Sequence, residues 1–330
     1  MTRAVVGYAA MLEQFAPTEV LELASTAETH GFDGVMAADH FQPWTPQQGQ
    51  ASFVWNVLSA LGQTTRGPLG TVSTPTFRFH PAVVAQASAT LEAMYPGRHW
   101  LGLGSGEALN EHVVGQYWPD APERIDRMFE ALDIIRKLFV SGATGKDTRH
   151  EGRYYRLEST RLWTAPATPP PIYVAASGPV TARRAGRVAD GIITETAPHD
   201  KLAALFQRFD EGAREAGRTT GERILRVHVS WAPTHEEAVQ DALTNWPTLG
   251  LKFPKADIRS PFEIEQMARM VRPEHFEGRL HISEDPDEHR RYLQGFLDLG
   301  VDRIHLHHVG RDQARFLEVF GRDVLPGLTR

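Results

Sequence analysis

The chain has 330 residues, 41% of them hydrophobic, and a formal net charge of −6. That length suits one large α/β domain or two ordinary ones, and the negative balance without any basic run speaks against a nucleic-acid surface. No cysteine occurs, which excludes disulfides and thiolate chemistry, and no apolar run approaches the length of a bilayer span.

Met1-Thr2-Arg3 leads straight into a strand-like run, Val5 to Tyr8, without the apolar stretch of a signal peptide, so the cytoplasm is the expected compartment. From there strand and helix alternate. A helix is predicted from about Thr18 to Thr29, then a short buried strand, Gly34 to Ala38. A helix from Phe53 to Thr64 precedes a third strand, Pro68 to Ser73. Pro81 suits a helix start and leads a helix to Met94. His99 to Gly104 is a fourth strand, and Pro122 opens a long helix to about Phe139.

Residues 141–170 break the rhythm with glycines, Tyr154-Tyr155 and a proline cluster, which reads as a hairpin-like excursion. The alternation resumes with strands at Ile172–Ala175, Gly191–Thr194 and Ile224–Trp231. The helices after them run from Pro179 to Val188, Asp200 to Ala216 and His235 to Asn245. Residues 246–282 are irregular, with one helix from Pro261 to Met270. A helix capped by Asp285 runs to Leu299. A last strand, Asp302 to His307, and a last helix, Gln313 to Val324, complete the pattern. Eight strands in strict alternation with helices close most economically as a (β/α)8 barrel. The expected organisation is one domain over 1–330, with the excursion at 141–170 and an insertion at 246–282. A doubly wound open sheet is the rival arrangement.

In a barrel, the residues after each strand share one rim, where chemistry is done. The second strand ends in Asp39-His40, with Pro43 and Trp44 just beyond. Glu13 follows the first strand, and Glu107 and Asn110 the fourth. Helix capping accounts for some of these side chains, but not for Glu13, His40 and Glu107 together. The turn Gly104-Ser105-Gly106 allows close backbone approach to a flat or anionic ligand, or is simply a tight barrel turn. Ala175-Ala176-Ser177-Gly178-Pro179 runs into a helix N-terminus, which either binds an anion or is an ordinary capped turn. Metal ligation is not expected. His305, His307 and His308 lie close in sequence, but no motif with metal-ligand spacing surrounds them. Lys252, Lys255 and Arg279 form a cationic patch in the insertion that suits a phosphate, or a solvated face.

These stretches carry a resemblance. Leu12-Glu13-Gln14-Phe15-Ala16-Pro17, Asp39-His40-Phe41-Gln42-Pro43-Trp44, Thr74-Pro75-Thr76-Phe77-Arg78, Gly104-Ser105-Gly106-Glu107-Ala108-Leu109-Asn110-Glu111 and Ala175 to Pro179 resemble the deazaflavin (coenzyme F420)-dependent glucose-6-phosphate dehydrogenases of the luciferase-like superfamily. The similarity runs from Gly7 to Phe320. It implies a TIM barrel, a homodimer, and coenzyme F420 bound at the carboxyl ends of the strands. By the resemblance, Asp39, Thr71, Val72, Ser73, Thr74, Ser105, Gly106, Glu107, Asn110, Ala175, Ala176, Ser177 and Gly178 contact the cofactor. A non-proline cis peptide is expected near Thr71–Ser73.

The resemblance makes His40, Glu107, Trp44 and Glu13 the catalytic group, with either His40 or Glu107 as the base. Trp44, Glu13, Lys255 and Arg279 would face the substrate. The phosphate clamp of such enzymes uses two lysines and an arginine. Lys255 and Arg279 match two of these, but the third position falls at Pro198, with Lys201 nearby. A sugar phosphate is therefore the expected substrate, and an unphosphorylated sugar or secondary alcohol the rival. An FMN-dependent monooxygenase is the more distant alternative.

Overall fold

The computed structural model describes residues 2–330. Eight parallel strands form its centre: β1 (Val5–Ala9), β2 (Val35–Ala38), β3 (Leu69–Ser73), β4 (His99–Leu103), β5 (Ile172–Ala175), β6 (Gly191–Glu195), β7 (Glu222–Ser230) and β8 (Arg303–His308). Each pairs with its neighbours in sequence. β8 pairs with β1 and with β7, and β6 pairs with β7, so the sheet closes on itself. This is a TIM barrel, and the open-sheet alternative is set aside. Apolar and small residues on both faces explain the strands, because helices cover the outside and side chains fill the inside.

The lower barrel is packed with aromatic rings at positions where facing strands carry glycine. A Cβ at Gly70 would lie 1.8 Å from the Trp100 ring, and one at Gly7 would lie 2.5 Å from His305. Trp100 packs at 5.5 Å from both Tyr173 and His305. Below them Arg303 Nη2 donates to Glu222 at 2.8 Å, and the Tyr173 hydroxyl donates to the same carboxylate. These side chains fill the floor of the barrel, and the rim acids lie at the other, carboxyl end. A cavity of about 520 Å³ opens at the opposite end, against Pro68, Trp100 and Arg303, but none of the rim acids borders it.

Residues 141–170 contain the expected hairpin, Thr148–Glu151 against Arg156–Thr160. The helix before it is longer than the sequence suggested, Ala121–Thr144. Residues 246–282 fold as short turns around one helix, Pro261–Ala268, and end in a two-residue strand, His281–Ile282. That strand pairs with β7 at Val229 and Ser230, beyond the point where β6 has left the sheet edge.

The expected cis peptide is not found: among the described residues every peptide bond is trans. β3 pairs residue for residue with β2 through Val72 and with β4 through Ser73, so its backbone continues as a regular strand there.

Candidate active site

Three loops bring Glu13, His40 and Glu107 together over the mouth of the barrel. Glu13 lies in the turn after β1, where its carbonyl accepts from Gln50 N at 3.0 Å. His40 follows β2 directly. Because Met36, Ala38 and His40 alternate on one strand face, the imidazole points inward. The next peptide groups are fixed from the short helix Ala108–Glu111 that follows β4: Asn110 Oδ1 accepts from Phe41 N at 2.9 Å and from Gln42 N at 3.1 Å. Asn110 therefore holds the loop that carries His40.

His40 Nδ1 is ion-paired with the Glu13 carboxylate, and Nε2 faces Glu107 Oε2 at 3.9 Å. Glu13 is buried, while a third of the Glu107 side chain opens to the pocket. Burial disfavours the charged form of His40, but the Glu13 carboxylate, its hydrogen bond and the Glu107 charge outweigh that and raise its pKa. For Glu13 the same contest ends the other way. Burial raises its pKa, yet the His40 charge and hydrogen bond bring it below the usual value. Burial pushes Glu107 up, against the pull of His40, Lys255 and Arg226, and its Oε2 has no hydrogen-bond donor. The arrangement offers a base whose tautomer is set by one acid and whose open nitrogen meets a second, more weakly acidic group.

Trp44 stands edge-on to His40, with ring centroids 5.6 Å apart. Its backbone N donates to Gln48 Oε1 at 2.9 Å, and Gln48 Nε2 donates to the Asn245 carbonyl at 3.2 Å. From the insertion, Lys255 Nζ reaches to 5.9 Å from the Trp44 ring centroid and donates to the Thr248 carbonyl at 3.2 Å. Burial and the neighbouring Arg279 lower its pKa. Lys255 is thus not part of a solvated face. Arg279 Nη1 donates to the Leu251 carbonyl at 2.7 Å. Lys252, Lys201 and Pro198 are exposed.

The rim between β3 and β5 is lined by small groups. Val72 and Thr74 sit below Gly104 and Gly106. Gly106 has φ +84°, and a Cβ there would lie 2.8 Å from Thr74 Cγ2. Ser105 and Ser177 are at least partly open. Ala175 and Ala176 lead to Gly178, which begins the helix Pro179–Val188 with no side-chain cap and with open space around its Cα. A flat ring with an anionic tail suits this cleft: glycines admit the ring, and free N–H groups face the anion.

Three of the expected cofactor contacts lie deeper. Asp39 Oδ2 accepts from Ser73 Oγ at 2.8 Å, while Oδ1 lies 3.3 Å from Arg78, whose Nε donates to Glu111 at 3.0 Å. The Asp39 side chain has no exposed surface, and Thr71 is wholly buried. Asp39, Thr71 and Ser73 point between strands and helices, so the structure does not bring their side chains into the cleft.

Several polar residues inside the mouth escaped the sequence reading. Arg226 and His228 lie on β7, and Arg226 Nη2 is ion-paired with Glu195 of β6. His228 Nδ1 meets His307 Nδ1 at 2.8 Å, and Trp246 packs on His307 at 4.6 Å. Burial drives both imidazoles well below their ordinary pKa, so this pair is neutral. The signal was present. Glu222, Arg226, His228 and Ser230 share one strand face, and Leu225, Val227 and Val229 the other, which turns polar groups towards the barrel axis. Of the three nearby histidines of β8, His308 faces outward and stacks on Phe316 at 4.4 Å. Among the described residues no group of three metal-ligating side chains is assembled.

Comparison with known proteins gives the family. Residues 1–303 match the family described as luciferase-like monooxygenase. The F420-dependent glucose-6-phosphate dehydrogenase of Nakamurella multipartita is 43% identical, over 98% of this chain and 96% of its own length. The proteins of that name from Microbacterium testaceum and Mycobacterium avium are 40% and 39% identical, again over nearly their whole length. Among solved structures, an F420-dependent secondary alcohol dehydrogenase in complex with an F420–acetone adduct superposes with a TM-score of 0.93 at 32% identity, and each chain is covered in full. A coenzyme F420-dependent tetrahydromethanopterin reductase from Methanopyrus kandleri shares the fold, with a TM-score of 0.81 at 19% identity. The chain belongs to the luciferase-like family, alongside the F420-dependent glucose-6-phosphate dehydrogenases.

Proposed function

We propose that this protein is an F420-dependent dehydrogenase that oxidises a sugar 6-phosphate, most simply glucose 6-phosphate to its lactone. The observation that carries the reading is His40 held between Glu13 and Glu107 at the barrel mouth, with Lys255 beyond Trp44. Full-length identity of about 40% to dehydrogenases of this name supports it.

Coenzyme F420, when bound, supplies a hydride acceptor at C5 of its ring. The cleft of Val72, Thr74, Ser105, Gly106 and Ala175 to Gly178 would hold it. Glu13 takes the Nδ1 proton of His40 as a hydrogen bond and so leaves Nε2 as the base. Nε2 accepts the proton of the anomeric hydroxyl as hydride leaves the same carbon. Glu107, its acidity weakened by burial, faces Nε2 and is the group that would meet the negative charge gained by the ring when F420 is bound. Trp44 shields the imidazolium edge-on. Lys255 and Arg279 receive the phosphate, each bonded among the described residues only to a neutral carbonyl and thus left with net charge to offer.

A second reading, oxidation of an unphosphorylated sugar or secondary alcohol, is favoured by Pro198 in place of a third clamp cation and by the fully covering alcohol dehydrogenase neighbour. The whole chain acts as one barrel domain, since one closed sheet draws on residues from 5 to 308. A homodimer fits the exposed apolar face that Phe53 and Val83 form beside Phe79, and the cytoplasm is its expected compartment; among the described residues no helix is long and apolar enough to cross a membrane. The test is the loss of oxidised-F420 absorbance on addition of glucose 6-phosphate, with glucose and isopropanol in parallel. Bleaching by the sugar phosphate is expected. Bleaching by isopropanol alone would overturn the substrate assignment.

A further inference from the structure

Arg226 stands apart from every residue given a role so far. It lies on the inward face of β7, in register with Glu195 of β6 on one side and His305 of β8 on the other. Its Nη2 is committed to Glu195, while its Nε and Nη1 meet no protein acceptor among the described residues. Neither nitrogen is sealed from solvent, and 18% of the side chain is open. Glu195 closes the inward face of β6 after Gly191 and Ile193, and 56% of its side chain is open to the mouth. The pair therefore presents two free donor nitrogens, with three N–H groups between them, and a carboxylate acceptor on one side of the reaction chamber. A guanidinium enclosed in a barrel is costly to desolvate, and a single carboxylate does not satisfy its five donors.

The charge of Arg226 is felt by Glu13, His40 and Glu107; of these three, Lys255 acts on Glu107 alone, and Arg279 is felt by Lys255. Arg226 thus faces the whole reacting group, Lys255 borders it at Glu107, and Arg279 lies behind Lys255. The cations also differ in counter-charge. Lys255 and Arg279 rest on neutral carbonyls, as a phosphate clamp requires. Arg226 already carries a carboxylate that would repel a phosphate dianion. What a neutralised fork with spare donors and an acceptor suits is a set of adjacent hydroxyl groups, each of which donates and accepts.

We propose that Arg226 and Glu195 read the ring hydroxyls of the sugar next to the reacting carbon, and so determine the preference for a polyol over a simple alcohol. The assignment rests on the sugar-dehydrogenase reading above and names the residues that would enforce it.

The test compares the parent enzyme with Arg226→Lys and Glu195→Gln on glucose 6-phosphate, its 2-, 3- and 4-deoxy analogues, and isopropanol. Lysine keeps the positive charge facing Glu13 and Glu107 but loses the planar fork. The parent is expected to favour glucose 6-phosphate over at least one deoxy analogue by 10-fold or more in kcat/KM. Both variants should shrink that ratio below 3-fold, chiefly through KM for the full sugar, while isopropanol oxidation changes far less. F420 affinity, measured by fluorescence titration, reports whether each variant is folded, and Glu195→Gln carries the test if Arg226→Lys is not. Discrimination left intact in a folded variant overturns the inference, as does an equal loss on every donor, which would make Arg226 a source of field only. A parent that oxidises isopropanol but no sugar fails the functional reading itself. That outcome is distinct from a sugar-oxidising parent whose variants still discriminate.

Discussion

His40 binds the Glu13 carboxylate through Nδ1 and turns Nε2 towards Glu107, 3.9 Å away. One imidazole thus joins an acid held below its usual pKa to another held above it. Two carboxyl groups of one kind take opposite roles because one is ion-paired and the other is mainly desolvated.

Raising the pKa of a base sets the acid limb of its pH profile. His40 accepts a proton only when neutral, so kcat/KM should fall as pH drops through its raised pKa. Glu13→Gln removes the charge responsible. The acid limb should then move to lower pH, and the rate on the plateau should fall by about 10-fold as the orienting bond weakens. His40→Ala should cost about 10²–10⁴-fold in kcat. Steady-state rates from pH 5 to 9 decide this. An acid limb unmoved in Glu13→Gln would transfer the base role to another group.

Lys255 and Arg279 make a prediction in KM. A hydrogen bond to a charged group contributes about 1.5–3 kcal/mol, or about 10–100-fold. Lys255→Ala or Arg279→Ala should raise KM for glucose 6-phosphate by that factor and leave F420 affinity intact. Inorganic phosphate should lose potency as a competitive inhibitor to the same extent. Equal KM values in parent and variants would place the phosphate elsewhere.

The barrel, its strand order and the rim acids were legible because strand alternation is a strong, repeated pattern and parallel strands put their carboxyl ends on one rim. Which side chains reach that rim was less legible. Asp39 and His40 are adjacent, yet the strand's period of two sends His40 inward and Asp39 outward to Ser73 and Arg78. Arg226 was overlooked because β7 reads first as an apolar run, and its charge makes sense only once Glu195 stands beside it. The trans peptides of β3 could not have been read from composition, because a single amide's geometry has no periodic signature.

The glycines of the inner barrel predict a packing failure. A Cβ at Gly70 would lie 1.8 Å from the ring of Trp100, which is buried. Gly70→Ala should therefore destabilise the protein by about 1–3 kcal/mol or more. The double variant Gly70→Ala with Trp100→Leu should recover part of that loss, since the smaller side chain frees the space. Urea denaturation of the four proteins measures the coupling, and strictly additive losses would show that the two sites do not compete for volume.

Buried histidines tie stability to pH. Burial pushes His99 down to about 4, and His289, His305 and His308 to about 3. Each is neutral in the folded protein but takes up a proton near pH 6.5 when unfolded, so stability is complete above that pH and is lost as pH falls below it. The loss should run from about pH 6.5 towards 4, at a slope of about 1.4 kcal/mol per pH unit for each histidine. Between pH 6.5 and 5 ordinary carboxylates stay ionised, and comparing parent with a single histidine variant isolates that histidine's share. His305 is the cleanest probe, because among the described residues neither ring nitrogen has a hydrogen-bond partner. His305→Leu should leave stability at pH 7.5 little changed and flatten the slope of unfolding free energy between pH 6.5 and 5 by one proton's share. Unchanged slopes in parent and variant would mean that His305 is protonated in the folded barrel, against the burial seen for it.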